Sequence, residues 1–307
     1  MDLYDGLYEG EAMNRGFRSF HPFICFIYYV FAVTTIMLYT HPLFLLFAVF
    51  ITIGLNVVFD RGRTLIKWIP VLFIFSFLFL VITPLFNHRG NHILFFLFNN
   101  PITLEAFIQG VMNALSLFSI ICLFMTFNLV ISADKFLFLF AKWFPQWALL
   151  TMLSMRFVPL LKRRLQEIAT VQKSKGRSVL EGTLKERISH GLLYVQILLT
   201  LSLEDGIQTA DSMAARGYGI QMRTKYEPYS FTYVDWMILS FFIVINFFII
   251  FGWWLGDGVL SLLPILESIM LEGREWLFLI IYILFLSFPL VMEIKEELQW
   301  RYWKRSN

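Results

Sequence analysis

The stretch "PFICFIYYVFAVTTIMLYTHPLFLLFAVFITIGLNVVF", residues 22–59, contains no Asp, Glu, Lys or Arg. A helix that crosses the hydrocarbon core of a bilayer needs roughly 20 apolar residues. Residues 22–39 and 42–59 each come close to that length. The His41-Pro42 pair between them predicts a tight turn, because the residue before a proline avoids the helical conformation. The stretch therefore predicts two consecutive membrane spans.

The rest of the chain continues this apolar character. Of the 307 residues, 58% are hydrophobic, 35 are Phe and only 15% are charged, whereas soluble domains have about 25% charged residues. Lipid must therefore cover much of the surface. Four further spans are predicted at residues 68–86, 104–131, 231–255 and 276–292. The fold class expected is all-α: a polytopic membrane protein of about six transmembrane helices with a cytoplasmic module of amphipathic helices.

Two short features lie around the fourth span. The run Ile93–Phe98 is too short to cross a bilayer, so we expect it to form an interfacial dip. Thr103 precedes the span and is a suitable helix N-cap. Charges return between residues 132 and 230, where Leu161, Leu165 and Ile168 recur at helical spacing among basic residues. This pattern predicts one amphipathic helix, followed by a second at about Leu184–Ala215.

Positive charge orients the predicted bundle, because basic residues concentrate on the cytoplasmic side of membrane proteins. With both termini in the cytoplasm, only Arg89 and Arg274 fall outside, which leaves 23 of the 25 basic residues inside. The expected organisation is a cytoplasmic segment 1–20, four spans in 21–131, a cytoplasmic module 132–230, two spans in 231–292 and a cytoplasmic tail 293–307.

The first three spans lack ionisable residues, which usually mark ion paths or catalysis inside a membrane. This argues against a proton-coupled transporter and against a membrane metalloenzyme. Neither an HExxH motif nor a GxxxxGK[ST] phosphate loop occurs. We therefore expect no cofactor or metal site in this chain, and any ATP must be bound by another chain. His88 and His92 share an outer loop, where a solvated pair is preferred over a metal contact.

The fourth span carries polar residues along one side of a helix: Glu105, Gln109, Asn113, Ser116, Ser119 and Thr126. One interpretation is hydrogen bonding between helices of the bundle. The other is a contact face for a second membrane subunit, with Gln109, Asn113 and Ser116 as candidate contact residues. The sequence leaves both open.

The two amphipathic helices end in triplets of the same form, a small residue, a basic residue and glycine. The first triplet is Ser174, Lys175 and Gly176, and the second triplet is Ala215, Arg216 and Gly217. Each could be an ordinary helix C-cap with a favourable basic last turn. Alternatively, each could insert a cation into a groove of a partner, where an acidic residue would pair with it.

These triplets, together with other motifs, carry a resemblance to a known family. The motifs are the His41-Pro42 turn, "ITLEA" at residues 102–106 and "MRFVPLLKRRLQEIATVQKSKG" at residues 155–176. From about His21 to Tyr226 the chain resembles the transmembrane T component of energy-coupling factor (ECF) transporters, the group that includes permease subunits of cobalt and biotin uptake systems.

The resemblance implies a function that is not enzymatic. T components of the prokaryotic cell membrane bind two ABC-type ATPases, one at each triplet, and a membrane S component that binds a vitamin or a transition-metal ion. Carried over, Lys175 and Arg216 are the docking cations. The small residues of the two triplets, Ser174, Gly176, Ala215 and Gly217, provide clearance. Arg156 and Pro159 are implied to shape the start of the first coupling helix.

The chain departs from the family pattern at two places. The first triplet has Ser and Lys where the family has Ala and Arg, so it keeps the charge without the planar guanidinium. The final span and the amphipathic linker 256–275 before it lie beyond the usual core, and we expect the linker on the outer surface. Two alternative functions remain. One is a membrane-embedded lipid-modifying enzyme that uses Glu204, Asp205 and Asp211. The other is a self-contained permease.

Overall fold

The computed structural model describes residues 16–87, 90, 92–97, 100–141, 144–218, 220, 229–261, 270–271 and 273–306. The chain divides into two compact units, one of residues 1–136 with 229–307 and one of residues 137–228. Some residues that carry predictions lie outside the described residues. They are linker residues 262–269 and 272, the basic residue Arg89, and His88 of the predicted histidine pair.

The described residues are mostly helical, as the composition predicts. In chain order the elements are α1 (Pro22–Leu38), α2 (Pro42–Asp60), α3 (Arg63–Phe86), β1 (Ile93–Leu97), β2 (Asn100–Thr103), α4 (Leu104–Val130), α5 (Ala133–Ala141), α6 (Pro145–Ser174), α7 (Leu184–Ala215), α8 (Tyr233–Trp254) and α9 (Glu275–Ser306). Helices α2, α3, α4, α8 and α9 are long and apolar enough to cross a membrane, and α1 is apolar but has 17 residues. The all-α polytopic membrane fold is confirmed.

Local chemistry explains where the first helices begin. The side chains of His21 and His41 accept the N–H groups of Phe23 and Leu43, and a proline follows each histidine at the first helical position. Proline suits that position because its missing N–H has no helical partner there. Thr103 caps α4 as predicted, since its hydroxyl accepts the N–H of Ala106 at 3.3 Å.

The run expected to form an interfacial dip is a β-strand, and its location at the membrane interface stays a prediction. β1 pairs antiparallel with β2, with Ile93 opposite Thr103 and Phe96 opposite Pro101. The branched and aromatic residues of the run favour an extended chain, and the short second strand supplies partners for its backbone groups. The hairpin leads into α4, where the buried Glu105 carboxylate accepts the N–H of His92 at 3.1 Å.

The core of the first unit is aromatic and joins the beginning of the chain to its end. Tyr28, Phe242, Tyr282 and Phe285 are fully buried. The Tyr28 hydroxyl donates to the Leu286 carbonyl at 2.9 Å, which satisfies a polar group inside an apolar core. The final span, expected to lie beyond the part shared with the family, supplies Tyr282, Phe285 and Leu286 to this hydrophobic core.

Helix α3 packs along α4, and most of its surface is exposed. Gly110 of α4 lies so close to α3 that a Cβ atom there would sit 3.0 Å from the Leu80 carbonyl oxygen. Small residues of this kind let two membrane helices approach closely. The other side of α3 presents large apolar residues, among them Phe73, Ile74 and Phe77. This side has the character of a lipid-facing surface.

Candidate functional site

The second unit is built on α6 and α7, which run antiparallel. Two contacts fix that direction: Tyr194 of α7 bonds to the carbonyl of Arg177, just beyond the end of α6, and Asp205 of α7 forms an ion pair with Arg164 of α6. Residue numbers thus fall along α6 as they rise along α7. Because the helices are antiparallel, their C-terminal ends point in opposite directions.

Helix α6 ends in a Schellman motif that includes the first triplet. The N–H of Arg177 donates to the Gln172 carbonyl at 2.9 Å, and the N–H of Gly176 donates to the Lys173 carbonyl at 3.0 Å. Gly176 has a φ of +74°, in the left-handed region that this motif requires. Lys175 is consequently the capping residue, the last one before the chain turns away.

Helix α7 ends in the same motif at the second triplet. The N–H of Tyr218 donates to the Met213 carbonyl at 3.0 Å, and the N–H of Gly217 donates to the Ala214 carbonyl at 2.9 Å. Gly217 has a φ of +78°, and Arg216 is the capping residue. The two triplets therefore share one backbone geometry in addition to one sequence form.

The capping cations of both triplets are exposed. Lys175 and Arg216 reach solvent, and within the parts of the chain that the structure describes neither forms an ion pair. A cation at this position is favoured by the partial negative charge of a helix C-terminus. Each cation thus stands at the end of a helix with its charge available to a partner.

The spacing of the triplets follows from the antiparallel pair. Lys175 follows Arg164 by eleven residues, and Arg216 follows Asp205 by eleven residues. At 1.5 Å per helical residue, each cation lies about 16 Å from the ion pair, measured along its helix. The two directions are opposite, so the cations are separated by about 30 Å along the helix pair. Such a separation suits contacts with two different protein subunits.

Three side chains of α7 hold the backbone that follows the first triplet. Tyr194, His190 and Arg187 bond to three successive carbonyls, those of residues 177, 178 and 179, at 2.6, 3.0 and 2.8 Å. The sequence interpretation missed these residues and the Arg164–Asp205 pair. No sequence signal identifies them, because their roles depend on how α6 and α7 lie against each other.

The start of α7 carries a capping box that the sequence interpretation also missed. The Glu186 carboxylate accepts the N–H of Thr183 at 2.9 Å, and the Thr183 hydroxyl accepts the N–H of Glu186 at 3.5 Å. Hydrogen bonding to Thr183 holds the pKa of the Glu186 carboxyl below its ordinary value. The backbone N–H of Thr183 makes the larger contribution and its side chain the smaller one. The signal was present as Thr-x-x-Glu before an apolar run.

Two of the expected site residues lie elsewhere than predicted. Arg156 and Pro159 were expected to shape the start of the first coupling helix, but α6 begins at Pro145 and both residues are exposed in its interior. The expectation placed the helix start at the motif, whereas the apolar residues before the motif are helical too. Pro159 lacks the N–H that would bond to the Met155 carbonyl, so it interrupts the hydrogen-bond ladder of α6.

The polar side of α4 makes contacts within the bundle. Gln109 donates to the Asn113 side chain at 3.1 Å, and the Asn113 amide donates to the Thr83 hydroxyl of α3 at 3.5 Å. Ser116 on the same side is half-buried. The contact to Thr83 supports the interpretation as hydrogen bonding between helices, and the role of these residues in binding another subunit stays a prediction.

Helix α7 also presents an apolar stripe that α6 does not cover. Its members are exposed and spaced three or four residues apart: Leu184, Ile188, Leu192, Val195, Leu199, Leu203 and Ile207. This spacing places them along one side of the helix. A continuous apolar surface of this kind marks a contact with lipid or with another protein.

The carboxylates proposed for an enzyme do not form a metal site. Asp205 is engaged by Arg164, whereas Glu204 and Asp211 are exposed. Among the described residues, no group of three or more His, Cys, Asp or Glu side chains could hold a metal ion.

Comparison with known proteins identifies a family. The family described as CbiQ, cobalt transport protein, matches residues 19–226, well over half of the chain. The match includes both triplets and ends before α8.

Similar relatives are named energy-coupling factor transporter transmembrane protein EcfT. The protein of Leuconostoc gelidum subsp. gasicomitatum is 33% identical over 109 residues, which are 34% of this chain and 41% of the relative. That of Macrococcus caseolyticus is 31% identical over 105 residues, 34% and 40% of the two chains. That of Bacillus selenitireducens is 31% identical over 98 residues, 32% and 37% of the two chains. The chain thus spans about two fifths of the length of the relatives that it matches. The resemblance to the transmembrane component of ECF transporters is confirmed, and the chain belongs to the CbiQ family of cobalt transport proteins.

Proposed function

We propose that this chain is the transmembrane energy-coupling subunit of an ECF-type ABC importer in a prokaryotic cell membrane. It links two cytoplasmic ATPases to a membrane S component that binds a vitamin or a transition-metal ion. The chain itself performs no catalysis, and ATP is bound and hydrolysed by the partner subunits. The observation that carries the proposal is the pair of identical helix ends, each with an exposed cation, at opposite ends of one antiparallel helix pair.

The geometry of the triplets supports one ATPase at each of them. A helix C-terminus with a small residue on one side and glycine on the other can enter a groove, because little bulk surrounds the cation. Lys175 and Arg216 would then pair with acidic residues of the ATPases. Arg216 offers a planar guanidinium that can bind a carboxylate through two hydrogen bonds, whereas Lys175 offers a point charge.

The apolar stripe of α7 supports contact with the S component. Its seven exposed residues would be covered by an apolar partner at the membrane. Gln109, Asn113 and Ser116 of α4 are further candidates for that contact. The cargo belongs to the S component, so it is a vitamin or a metal ion that this chain does not select.

Charge reversal at the triplets tests the docking role. A tagged chain would be purified in mild detergent together with its ATPases, and uptake would be measured in the same cells. Replacing one partner of a hydrogen-bonded charge pair costs roughly 2–5 kcal/mol. Arg216→Glu should therefore reduce ATPase co-purification by about a hundredfold and abolish uptake. Lys175→Glu should act in the same direction, and less severely because a point charge forms fewer hydrogen bonds.

Arg163→Glu provides the matched control, because Arg163 is an exposed cation in the interior of α6. This variant has the same change in net charge and should keep both the ATPases and uptake. If Arg216→Glu retained the ATPases as well as Arg163→Glu does, the docking role would be wrong. Isolated wild-type chain that modified lipids, or that took up substrate without ATPases, would favour one of the alternatives.

A further inference from the structure

The contacts between α7 and the loop after the first triplet suggest how the two ATPase contacts are combined. We propose that Arg187, His190 and Tyr194 are positioning residues that join the first triplet to α7. Through them, a displacement of Lys175 reaches the helix that also carries Arg216. Helix α7, rather than α6, is then the element that receives both inputs. This inference deepens the proposed function and rests on it. We call these three residues the loop brace.

The loop brace is specific in its geometry. Its members lie three and four residues apart, so they share one side of α7, and they bond to the carbonyls of three successive residues. Loop carbonyls usually bond to water, so three consecutive carbonyls held by one helix fix the path of the chain directly after Gly176. The loop is anchored further by Ser178, which is buried and whose hydroxyl accepts the N–H of Leu180 at 3.2 Å.

Each member contributes a different kind of hydrogen bond. Tyr194 is only 7% exposed and donates its hydroxyl at 2.6 Å, in the driest part of the brace. Arg187 donates from a charged guanidinium, which makes its bond stronger than a neutral one. His190 faces a carbonyl through Nδ1, so that nitrogen carries the proton.

The position of the brace on α7 makes it more than a loop anchor. Without it, a force on Lys175 would reach α7 through the loop itself, through the packing of α6 against α7 and through the Arg164–Asp205 pair, which lies eleven residues before Lys175. With it, the first triplet is attached close to the N-terminal end of α7, and the second triplet is the C-terminal end of the same helix. The apolar stripe begins level with the brace and extends toward the second triplet, on the side of α7 opposite the brace.

A distance measurement on the full-length chain tests the attachment itself. Spin labels would be placed at two exposed lysines, Lys173→Cys near the end of α6 and Lys185→Cys at the start of α7, while the buried Cys25 and Cys122 stay unlabelled. The brace variant combines Tyr194→Phe with His190→Leu. Loss of two hydrogen bonds should lower the population of the attached loop about tenfold, so the distance distribution should broaden. An unchanged distribution overturns the proposal.

The functional readout is the amount of substrate taken up per ATP hydrolysed, measured after reconstitution with the ATPases and the S component. The brace variant should keep its ATPases and its ATP hydrolysis while uptake per ATP falls several-fold, by an amount that follows the attached population. His190→Asn should behave like wild type, because the amide can donate in place of Nδ1. Tyr233→Phe, which removes an exposed hydroxyl outside the second unit, is the matched control.

These measurements separate the inference from the function beneath it. A broadened distance distribution with unchanged uptake per ATP overturns the positioning role. Failure of the wild-type chain to bind ATPases contradicts the proposed function, and that result comes from co-purification rather than from the distances. The proposal stands if the brace variant broadens the distance distribution and lowers uptake per ATP. The His190→Asn variant, which keeps Tyr194, should then show the wild-type distances and the wild-type uptake per ATP.

Discussion

Two glycines determine the backbone conformation of both triplets. Gly176 and Gly217 have φ values of +74° and +78°, a region that residues with a Cβ atom rarely adopt. Space is not the constraint among the described residues, where a Cβ atom at Gly176 would meet nothing within 4 Å and one at Gly217 would meet only Ile220 Cδ1 at 3.9 Å. The requirement for glycine is therefore conformational, and the small size of the residue adds clearance for a partner.

We expect Gly217→Ala to destabilise the end of α7 by about 1 kcal/mol, the usual cost of a left-handed residue with a Cβ atom. Hydrogen exchange of the amides in the last turn of α7 should become faster, and ATPase co-purification should fall with it. Gly217→Asn should have a smaller effect, because asparagine tolerates this conformation better.

Gly206 provides the opposite control. It lies exposed in the interior of α7, and a Cβ atom there would meet no atom of the described part of the chain within 4 Å. Gly206→Ala should therefore stabilise the helix by up to about 1 kcal/mol. If both alanine variants changed hydrogen exchange in the same direction, the conformational explanation of Gly217 would be wrong.

Single residues were predictable from the sequence where their chemistry is local. Thr103 as a helix cap and Gly217 as a helix terminator each depend on neighbours within a few positions of the chain. His190 and Tyr194 looked like ordinary members of an amphipathic helix, because their partners become neighbours only when the loop folds back. Asp205 was assigned to a hypothetical carboxylate cluster for the same reason, since its partner Arg164 is distant in sequence.

At the scale of elements, the capping box gives α7 a dependence on pH. The pKa of Glu186 is lowered in the folded protein, so the folded state holds this proton less tightly than the unfolded state. The contribution is therefore fully present above the unfolded pKa, about 4.3 for glutamate. It is lost as the pH falls through the lower, folded pKa.

We expect wild-type protein and Glu186→Gln to differ in stability at neutral pH and to converge as the pH falls below about 4. Thermal unfolding followed by circular dichroism across this range measures the difference, and Glu181→Gln is a control in the exposed loop before α7. A difference that stayed constant down to low pH would show that the Glu186 charge does not contribute to the cap.

Helix positions were predictable to within a few residues, and the hairpin was not. A run of apolar residues long enough to cross a bilayer has few alternatives to a helix, because every backbone polar group must be satisfied within the segment. The run at residues 93–97 is too short for that argument to apply, and its partner strand contains a proline that argues against a strand. Only the pairing of the two segments makes either of them a strand.

At the scale of the whole molecule, orientation remains a prediction from charge. The positive-inside distribution places the α8–α9 connection outside the cell and the end of α6 inside. A cysteine at Met270, which is 82% exposed, should react with a membrane-impermeant maleimide added to intact cells. A cysteine at Lys173 should react only after permeabilisation, and the reverse pattern would invert the predicted topology.

The arrangement of the bundle could not be predicted from one sequence. Apolar spans all present similar surfaces, so the sequence does not reveal which of them pack together. The contact of Tyr28 with Leu286 joins helices at opposite ends of the chain. It shows why the last span, which lies outside the region that matches the family, is nevertheless part of the core.

The Arg164–Asp205 pair lies midway between Lys175 and Arg216, eleven residues from each. If the helices tilt about that point, the two cations lie at equal distances from the pivot. A tilt of a given angle then displaces either cation by the same distance. Two ATPases that approached each other symmetrically would then displace both cations by the same distance and change the angle at which the helices cross. Under the proposed function, a membrane partner in contact with α7 would receive this change as a rotation, whose angle is the displacement of a triplet divided by its distance from the ion pair.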